Sequence, residues 1–326
     1  MDLISKEANK AINYFFNINP VFFTSEIDEE FYHALTSTYR PSILPEQIVL
    51  EITEESFSNE AGIIVQRLRK YRELGCKIAI DDFGKGFSNL ERVAAIQPNI
   101  LKVDLYLVQK STYSLPYKNI LHTLSILSEK IGASLLYEGI ETVENLKNAW
   151  RNGAQFYQGY LFSKPQPTFS NYLDCESIIN EQVESMIQEA VERVSRKFSV
   201  EEYYNKLLKE SVETSSFQGD YNQYVASFTE ILPGNCFRLY LCDPFGYQKS
   251  ANHYRKCDTT WLLQEEFYNR NWSWRPYFIE NIIYMKLNNK GILSEAYADI
   301  ETNEQIRTFS YPLEENLYLF IDLRLH

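Results

Sequence analysis

Short apolar runs alternate with helical patterns through the first half of the chain. Each run ends in a polar or acidic residue, and a helical pattern follows it. Unbroken apolar strands separated by helices are typical of a parallel sheet that is buried on both faces. The strands predicted in this way are Tyr14–Asn17, Ile48–Ile52, Lys77–Asp81, Ile100–Val103, Ser134–Glu138 and Phe156–Leu161.

Two of the helical patterns between these strands are clear. Residues 60–74 place Ile64, Leu68 and Tyr71 on one face, and Gly75 follows as a stop signal. The second pattern covers residues 117–131 and is followed by Gly132.

The polar residues at the strand ends favour one of two parallel-sheet architectures. A doubly wound sheet concentrates its ligands at one switch point, usually beside a glycine-rich phosphate loop, and the sequence has no such loop. In a barrel, many strand ends converge on the face that carries the active site. We therefore predict an α/β fold with a TIM-like (β/α) barrel. The polar residues at or near strand ends are Asn17, Glu51, Asp81, Lys102, Glu138 and Gln158.

The second half of the chain differs in kind. Residues 174–212 predict one long helix, whose apolar stripe suits either packing on its own barrel or a connector or dimer helix. Alternating runs after residue 236 predict a small antiparallel sheet with helices between its first and later strands, an α+β module. The predicted domains are an incomplete barrel at 1–172, a connector helix at 173–213 and the module at 214–326. The stripe consists of Ile179, Val183, Met186, Ala190, Val194 and Phe198.

Composition and charge exclude several classes of function. The 326 residues carry a net charge of −12, which disfavours binding to nucleic acid polymers. No apolar run reaches the roughly 18 residues that a membrane span needs, and no signal-peptide pattern opens the chain. The 5 cysteines are too dispersed for a disulfide framework or a zinc site. We expect a cytoplasmic protein without a membrane span.

Two adjacent carboxylates, Asp81 and Asp82, end the third predicted strand. Like charges this close raise each other's pKa, so the pair favours a divalent cation, for which carboxylate oxygens are good ligands. Alternatively, Asp82 caps the next helix, as Asp often does.

A series of short motifs occupies the strand ends in a fixed order, and together they resemble the EAL family of cyclic di-GMP phosphodiesterases over residues 1–166. Within that family the chain is similar to the YkuI type, in which an EAL domain precedes a C-terminal PAS-like module; segments 272–277 and 307–312 carry this second likeness. The motifs are Asn17-Ile18-Asn19, Glu51-Ile52-Thr53-Glu54, Asp81-Asp82-Phe83-Gly84, Lys102-Val103-Asp104, Glu138-Gly139-Ile140-Glu141 and Gln158-Gly159-Tyr160.

The resemblance implies hydrolysis of cyclic di-GMP to linear pGpG by two metal ions, Mg²⁺ or Mn²⁺, with Ca²⁺ as an inhibitor. It implies that Glu138 is the general base and that Lys102 holds the attacking water. The implied metal ligands are Asn17, Glu51, Asp81, Asp82 and Glu138.

Three further residues have implied roles. Glu54 would stabilise the loop after Asp82, while Glu141 and Gln158 would bind substrate. On the other hand, Glu54 and Glu141 also suit helix N-termini, and Gln158 suits a buried hydrogen-bonding position.

One family motif is absent ahead of Asn17: no segment of the form E-x-L-x-R precedes it. We therefore expect an N-terminally incomplete barrel with little or no hydrolysis. The alternative function is that of a catalytically inactive cyclic di-GMP-binding or regulatory protein, whose C-terminal module senses a ligand or dimerises. We expect a homodimer in either case.

Aromatic residues surround a single Arg in the C-terminal module. A guanidinium in an aromatic pocket suits a small anion such as a carboxylate, although such clusters also occur as ordinary core packing. Asp299 and Asp322 are candidate polar partners. The candidate sensory pocket comprises Trp274, Arg275 and Tyr277.

Overall fold

The computed structural model describes residues 12–37, 43–53, 61–84, 90–167, 172–215, 217–257, 260–314 and 316–325. The chain divides into two compact units, Met1–Ile187 and Gln188–His326. The boundary between them lies inside one helix, Tyr172–Thr214. The domain limits at residues 172 and 213 stay a prediction.

The first unit contains a parallel sheet of six strands. Its strands are β1 (Tyr14–Asn17), β2 (Ile48–Thr53), β3 (Lys77–Phe83), β4 (Ile100–Val103), β5 (Ser134–Tyr137) and β6 (Ala154–Tyr157). They lie side by side in chain order from β1 to β6. A doubly wound sheet would reverse its strand order at a switch point, so the sequential order is that of a barrel-like sheet. The predicted α/β, TIM-barrel-like fold is confirmed.

Helices follow the strands of this sheet. The C-terminal stop of one of them is the predicted Gly132, which adopts a left-handed φ of 71°. Another begins with a capping box, in which the Thr142 side chain accepts a hydrogen bond from Asn145 N while the Asn145 side chain accepts one from Thr142 N. The helices are α1 (Glu26–Thr36), α2 (Ala61–Glu73), α3 (Leu90–Ile96), α4 (Leu105–Ser111), α5 (Leu115–Ile131) and α6 (Val143–Arg151).

The predicted position of the last strand of the sheet is wrong. We predicted residues 156–161, whereas β6 ends at Tyr157. The chain turns because Gly159 lies against the loop that follows β5: an added Cβ would come within 2.3 Å of the backbone N and O of Ile140. Residues after β6 therefore bond to that loop, with Ile140 N donating to Gln158 O and Leu161 N donating to Ile140 O, both at 2.9 Å.

The long helix α7 (Tyr172–Thr214) is confirmed, but its predicted stripe is not uniform. Within the first unit, Met186 is buried and the neighbouring Ser185 accepts a hydrogen bond from Lys147 Nζ of α6 at 2.9 Å. In the second unit, Val194 and Phe198 are exposed. Periodicity alone could not predict this change, because burial depends on what each turn of the helix contacts.

The second unit is a single antiparallel sheet with helices on it. Its order is β10-β12-β13-β7-β8-β9, with β11 paired to β12. The α+β prediction is confirmed, although β8 and β9 were not predicted. The elements are α8 (Tyr221–Thr229), β7 (Cys236–Cys242), β8 (Asn252–Cys257), β9 (Thr260–Gln264), α9 (Phe278–Asn288), β10 (Ile292–Leu293), β11 (Tyr297–Ala298), β12 (Gln305–Glu314) and β13 (Leu317–Arg324).

The two faces of this second sheet carry separate cores. On one face, Leu208 of α7 and Phe228 of α8 pack with Leu239 of β7. On the other, Phe278 of α9 stacks on Phe320 of β13 at a centroid distance of 5.5 Å. In the described part of the chain, no helix is both long enough and apolar enough to cross a membrane.

Candidate active site

Four neighbouring strands bring charged side chains to one point at their C-terminal ends. Lys102 of β4 places its Nζ 2.8 Å from Glu51 Oε1, 2.7 Å from Asp81 Oδ1 and 2.8 Å from Glu138 Oε1. Glu51 and Asp81 lie on β2 and β3, and Glu138 follows β5 directly. The convergence of these strand ends, which the sequence predicted, is therefore present.

Burial decreases from the base of this cluster towards its opening. The side chains of Lys102 and Glu51 are 4% and 5% exposed, while those of Asp81 and Glu138 are 17% and 20% exposed. Three carboxylates surround one ammonium group, so the cluster carries two uncompensated negative charges when all are ionised. A solvent-accessible opening lined by anionic oxygens suits small cations.

The protonation of the cluster follows from its burial and contacts. Burial raises the pKa of Glu51 and of Glu138, although the hydrogen bond from Lys102 opposes that shift in both. Burial alone would lower the pKa of Lys102, but hydrogen bonds to the three carboxylates outweigh it and raise the pKa. Lys102 therefore remains charged at neutral pH.

A backbone irregularity positions the Asp81-Asp82 pair. The β3–β4 register shifts between Ile80 and Phe83, and Asp82 adopts a φ of 54°. Such a bulge changes the direction of the side chains near the strand end. Asp is tolerated at a left-handed φ far better than a β-branched residue is. Because Asp82 lies within β3 and α3 begins only at Leu90, the interpretation of Asp82 as a helix cap is wrong.

The other predicted site residues lie around the cluster or outside the described residues. Asn17 is exposed at the end of β1, in register with Glu51. Glu141 and Gln158 are exposed on the loops after β5 and β6, so the interpretation of Gln158 as a buried residue is wrong. Glu54 lies outside the described residues.

One supporting residue had no predicted role. Asp104 is 8% exposed and accepts a hydrogen bond from Tyr106 N at 2.7 Å, which caps α4 directly after β4. This cap lies two residues after Lys102 and directly follows β4, which ends at Val103. The signal was present in the sequence as an Asp immediately before a helical pattern.

The carboxylate oxygens of the cluster are suitable ligands for divalent cations, although they are not arranged as a preformed metal-binding site. Among the residues whose placement is described, no group of three or more His, Cys, Asp or Glu is arranged to hold a metal ion. The carboxylates instead surround the ammonium group of Lys102. Their oxygens are the ligands that Mg²⁺, Mn²⁺ and Ca²⁺ prefer, and their excess negative charge is what such ions neutralise.

The candidate sensory residues of the second unit differ in exposure. Trp274 is 58% exposed, and the Arg275 guanidinium lies 4.7 Å from the centroid of its ring and 4.9 Å from that of Tyr297. The Tyr277 hydroxyl lies 3.3 Å from the Tyr297 hydroxyl and 3.4 Å from Thr308 Oγ1. Their role as a ligand pocket stays a prediction.

The two acidic residues predicted beside that pocket pair with a different Arg. Arg238 Nη1 donates to Asp299 at 3.1 Å and to Asp322 at 3.0 Å, and Asp322 also accepts from Thr308 Oγ1 at 2.6 Å. Arg238 is 5% exposed. The sequence did not predict this buried pairing, because the three residues lie on segments 61 and 84 positions apart.

Comparisons with family models agree with both units. The EAL domain model matches residues 1–165, and the model for an EAL-domain associated signalling protein domain, YkuI_C, matches residues 170–326. Together they account for nearly the whole chain.

One relative matches nearly the whole chain, and another matches about half of it. The chain is 36% identical over 324 residues to the uncharacterized EAL-domain containing protein YkuI of Bacillus subtilis, covering 97% of this chain and 78% of that protein. It is 30% identical over 168 residues to the cyclic di-GMP phosphodiesterase RocR of Pseudomonas aeruginosa, covering 52% of this chain and 42% of that one.

A solved structure is similar over nearly the whole chain. The crystal structure of Bacillus subtilis YkuI in complex with substrate c-di-GMP and calcium has a TM-score of 0.90 at 35% identity. The match covers 99% of this chain and 81% of that one.

Proposed function

This chain belongs to the EAL domain family, and on that premise we propose that its strand-end site binds cyclic di-GMP together with divalent cations and hydrolyses it to linear pGpG. The proposal departs from the little or no hydrolysis that we expected from the absent E-x-L-x-R segment, and the test below decides between the two. The observation that carries the proposal is the convergence of Glu51, Asp81 and Glu138 on Lys102 at 2.7 to 2.8 Å. Its net negative charge would repel a phosphodiester on its own. Cations and nucleotide are therefore expected to bind together.

The proposed metal ligands are the carboxylates of the cluster, with Asp82 and Asn17 beside them. Divalent cations, when bound, neutralise phosphate charge and make a water molecule more acidic. We propose Mg²⁺ or Mn²⁺ for hydrolysis, and Ca²⁺ for binding without turnover. The relative YkuI supports the binding step, because its crystal structure contains c-di-GMP and calcium.

Glu138 is the proposed general base. Burial raises the pKa of its carboxyl, which makes the carboxylate a stronger base towards the attacking water. The water oxygen bonds to phosphorus, one P–O ester bond breaks, and the departing oxygen takes up a proton. Lys102 orients the water and offsets the negative charge of the phosphate.

Three residues are proposed in supporting roles. Glu141 and Gln158, which are exposed on the loops after β5 and β6, would contact the nucleotide. Glu54 would stabilise the loop after Asp82. In the second unit, a sensory or dimerisation role is proposed, with Trp274, Arg275 and Tyr277 as the candidate pocket.

The test is release of pGpG from cyclic di-GMP by the purified chain in the presence of Mn²⁺. Glu138→Gln should abolish release, whereas Glu129→Gln, at an exposed position on α5, should leave it unchanged. Release that survives Glu138→Gln would contradict the assignment of the base. Calcium-dependent binding with no release by the unmodified chain would identify a receptor, the alternative function.

A further inference from the structure

Two buried basic side chains of β8 contain nitrogen atoms that lack hydrogen-bond partners. Arg255 is 8% exposed and His253 is 4% exposed. Arg255 Nε and His253 Nε2 are buried, and neither atom makes a hydrogen bond with the residues that the structure describes. Because nearly all buried polar groups in folded proteins are paired, two such atoms on one strand are exceptional.

Both side chains lie on the face of the second sheet that packs against α7 and α8. β8 pairs regularly with β9 from Asn252 to Arg255, so residues two positions apart project to the same side. His253 lies opposite Leu239 of β7, which belongs to the core on this face. Tyr277, one of the candidate sensory residues, packs on the other face with α9. The two buried basic residues therefore belong to a different part of the unit.

Arg255 has few partners for a buried charged group. A guanidinium has several N–H donors in its plane, and in the described part of the chain Arg255 uses one, donating from Nη2 to Leu232 O at 2.9 Å. Its guanidinium carbon lies 4.5 Å from the centroid of the Trp261 ring, but such stacking provides no acceptor for the in-plane N–H groups. Among the described residues, no carboxylate pairs with Arg255, whereas the similarly buried Arg238 pairs with three.

The guanidinium can be approached beside Gly234, in the connection between α8 and β7. Gly234 is exposed, and a Cβ added there would lie 3.9 Å from Arg255 Nη1, with no other atom of the described residues within 4 Å. Because glycine has no side chain, a small group can reach Nη1 from this side. Little of Arg255 is exposed, so the approach suits a small ligand and not a polymer or a lipid surface.

We propose that Arg255, with His253 as a second donor, binds the phosphate or carboxylate group of a small ligand that approaches beside Gly234. Two oxygens of such a group can accept hydrogen bonds from adjacent N–H groups of one guanidinium, and partial burial strengthens these bonds. The anion would also supply the counter-charge that a buried cation needs. The proposal does not rest on the proposed enzymatic activity.

His253 can donate to an anion while remaining uncharged. Burial lowers the pKa of His253 to about 4, so its ring is neutral at pH 7. A neutral imidazole donates from one of its two nitrogens, and Nε2 is available for this role. The site therefore needs no second buried charge.

NMR of the histidine rings of the full chain tests binding at this place. The chain contains 4 His residues, of which His33 and His122 are exposed in the first unit. At fixed pH and ionic strength, added inorganic phosphate or acetate should shift the His253 signals saturably, with a dissociation constant on the order of 1 mM. The signals of His33 and His122 should not move. The probe that binds more tightly identifies the oxyanion that the ligand contains.

Three variants separate this site from general charge attraction. Arg255→Gln should weaken binding of the tighter probe about tenfold or more, because it removes charge-assisted hydrogen bonds. Lys256→Gln removes the same charge at the adjacent, exposed position and should change the dissociation constant by less than about twofold. Gly234→Leu keeps both donors but covers the approach, so it should also weaken binding and provides a test if Arg255→Gln does not fold.

Any of four results would overturn the proposal. The first is the absence of saturable His253 shifts with either probe, and the second is binding that Gly234→Leu leaves unchanged. The third is equal weakening by Arg255→Gln and Lys256→Gln, which would mean non-specific attraction. The fourth is binding that appears only in Asp258→Asn, because Asp258, which lies between β8 and β9 in the sequence and outside the described residues, would then be the counter-charge of Arg255.

Discussion

Lys102→Met removes the one cation from the carboxylate cluster while keeping much of the side-chain volume. Three carboxylates, each 2.7 to 2.8 Å from Lys102 Nζ, then face each other without a partner. Removing one partner of a buried pair costs about 3 to 5 kcal/mol. Because Asp81 and Glu138 are 17% and 20% exposed, we take the lower end, about 3 kcal/mol at neutral pH.

The loss of stability in Lys102→Met should depend on pH and on divalent cations. Without Lys102, the folded-state pKa values of Glu51 and Glu138 rise further above their unfolded values, so the folded state binds protons more readily. The deficit is therefore largest near pH 7 and shrinks as the pH falls towards 4.5. Divalent cations should restore stability by taking the place of the ammonium charge.

Differential scanning calorimetry of the first unit's transition measures this loss. About 3 kcal/mol corresponds to a fall in Tm of about 6 to 12 °C for a unit of this size. Lys77→Met, on the neighbouring strand β3, is the matched control. Among the described residues, the Lys77 side chain makes one hydrogen bond, to Asn13 Oδ1 at 2.9 Å. Equal Tm values for the two variants at pH 7, or no additional recovery of Lys102→Met with Mn²⁺, would refute the reasoning.

Two further predictions concern stability. Gly159→Ala should lower the free energy of unfolding by about 2 kcal/mol or more, since the added Cβ would meet the Ile140 backbone at 2.3 Å. Gly62→Ala, where no atom of the described residues lies within 4 Å of the added Cβ, should raise it by up to about 1 kcal/mol, and urea denaturation compares the two variants. Burial lowers the pKa of His253 from 6.5 to about 4, so the unfolded chain binds this proton at a higher pH than the folded chain does. The free energy of unfolding of the second unit should therefore decrease by about 3 kcal/mol as the pH falls from 6.5 to 4. His253→Leu should remove most of that dependence in denaturation curves at several pH values, and an unchanged dependence would assign it to other groups.

The sequence predicted the architecture of the first unit because each strand is an apolar run ending in a polar residue. Such a run can be recognised in the sequence without knowing which strands lie beside it. The predicted bounds of β1 and β4 are accordingly the same as the observed ones. The strand-end positions of Glu51, Asp81, Lys102 and Glu138 followed from the same pattern.

What the sequence did not predict depends on contacts between distant segments. The ammonium group of Lys102 contacts three carboxylates at once, which no spacing rule implies. The left-handed φ of Asp82 depends on the β3–β4 register shift. Likewise, β8 and β9 contain charged and amide residues, including Asn252 and Arg255, that are buried by pairing and do not form an apolar run.

The most direct test of the central claim is calorimetric titration of the chain with cyclic di-GMP in Ca²⁺ and in excess chelator. The account predicts binding in Ca²⁺, its loss in chelator, and its loss in Asp81→Asn, which keeps the shape of the side chain but removes one ligand charge. Binding that is equally tight in chelator and in Asp81→Asn would contradict the claim that divalent cations at this carboxylate cluster hold the nucleotide.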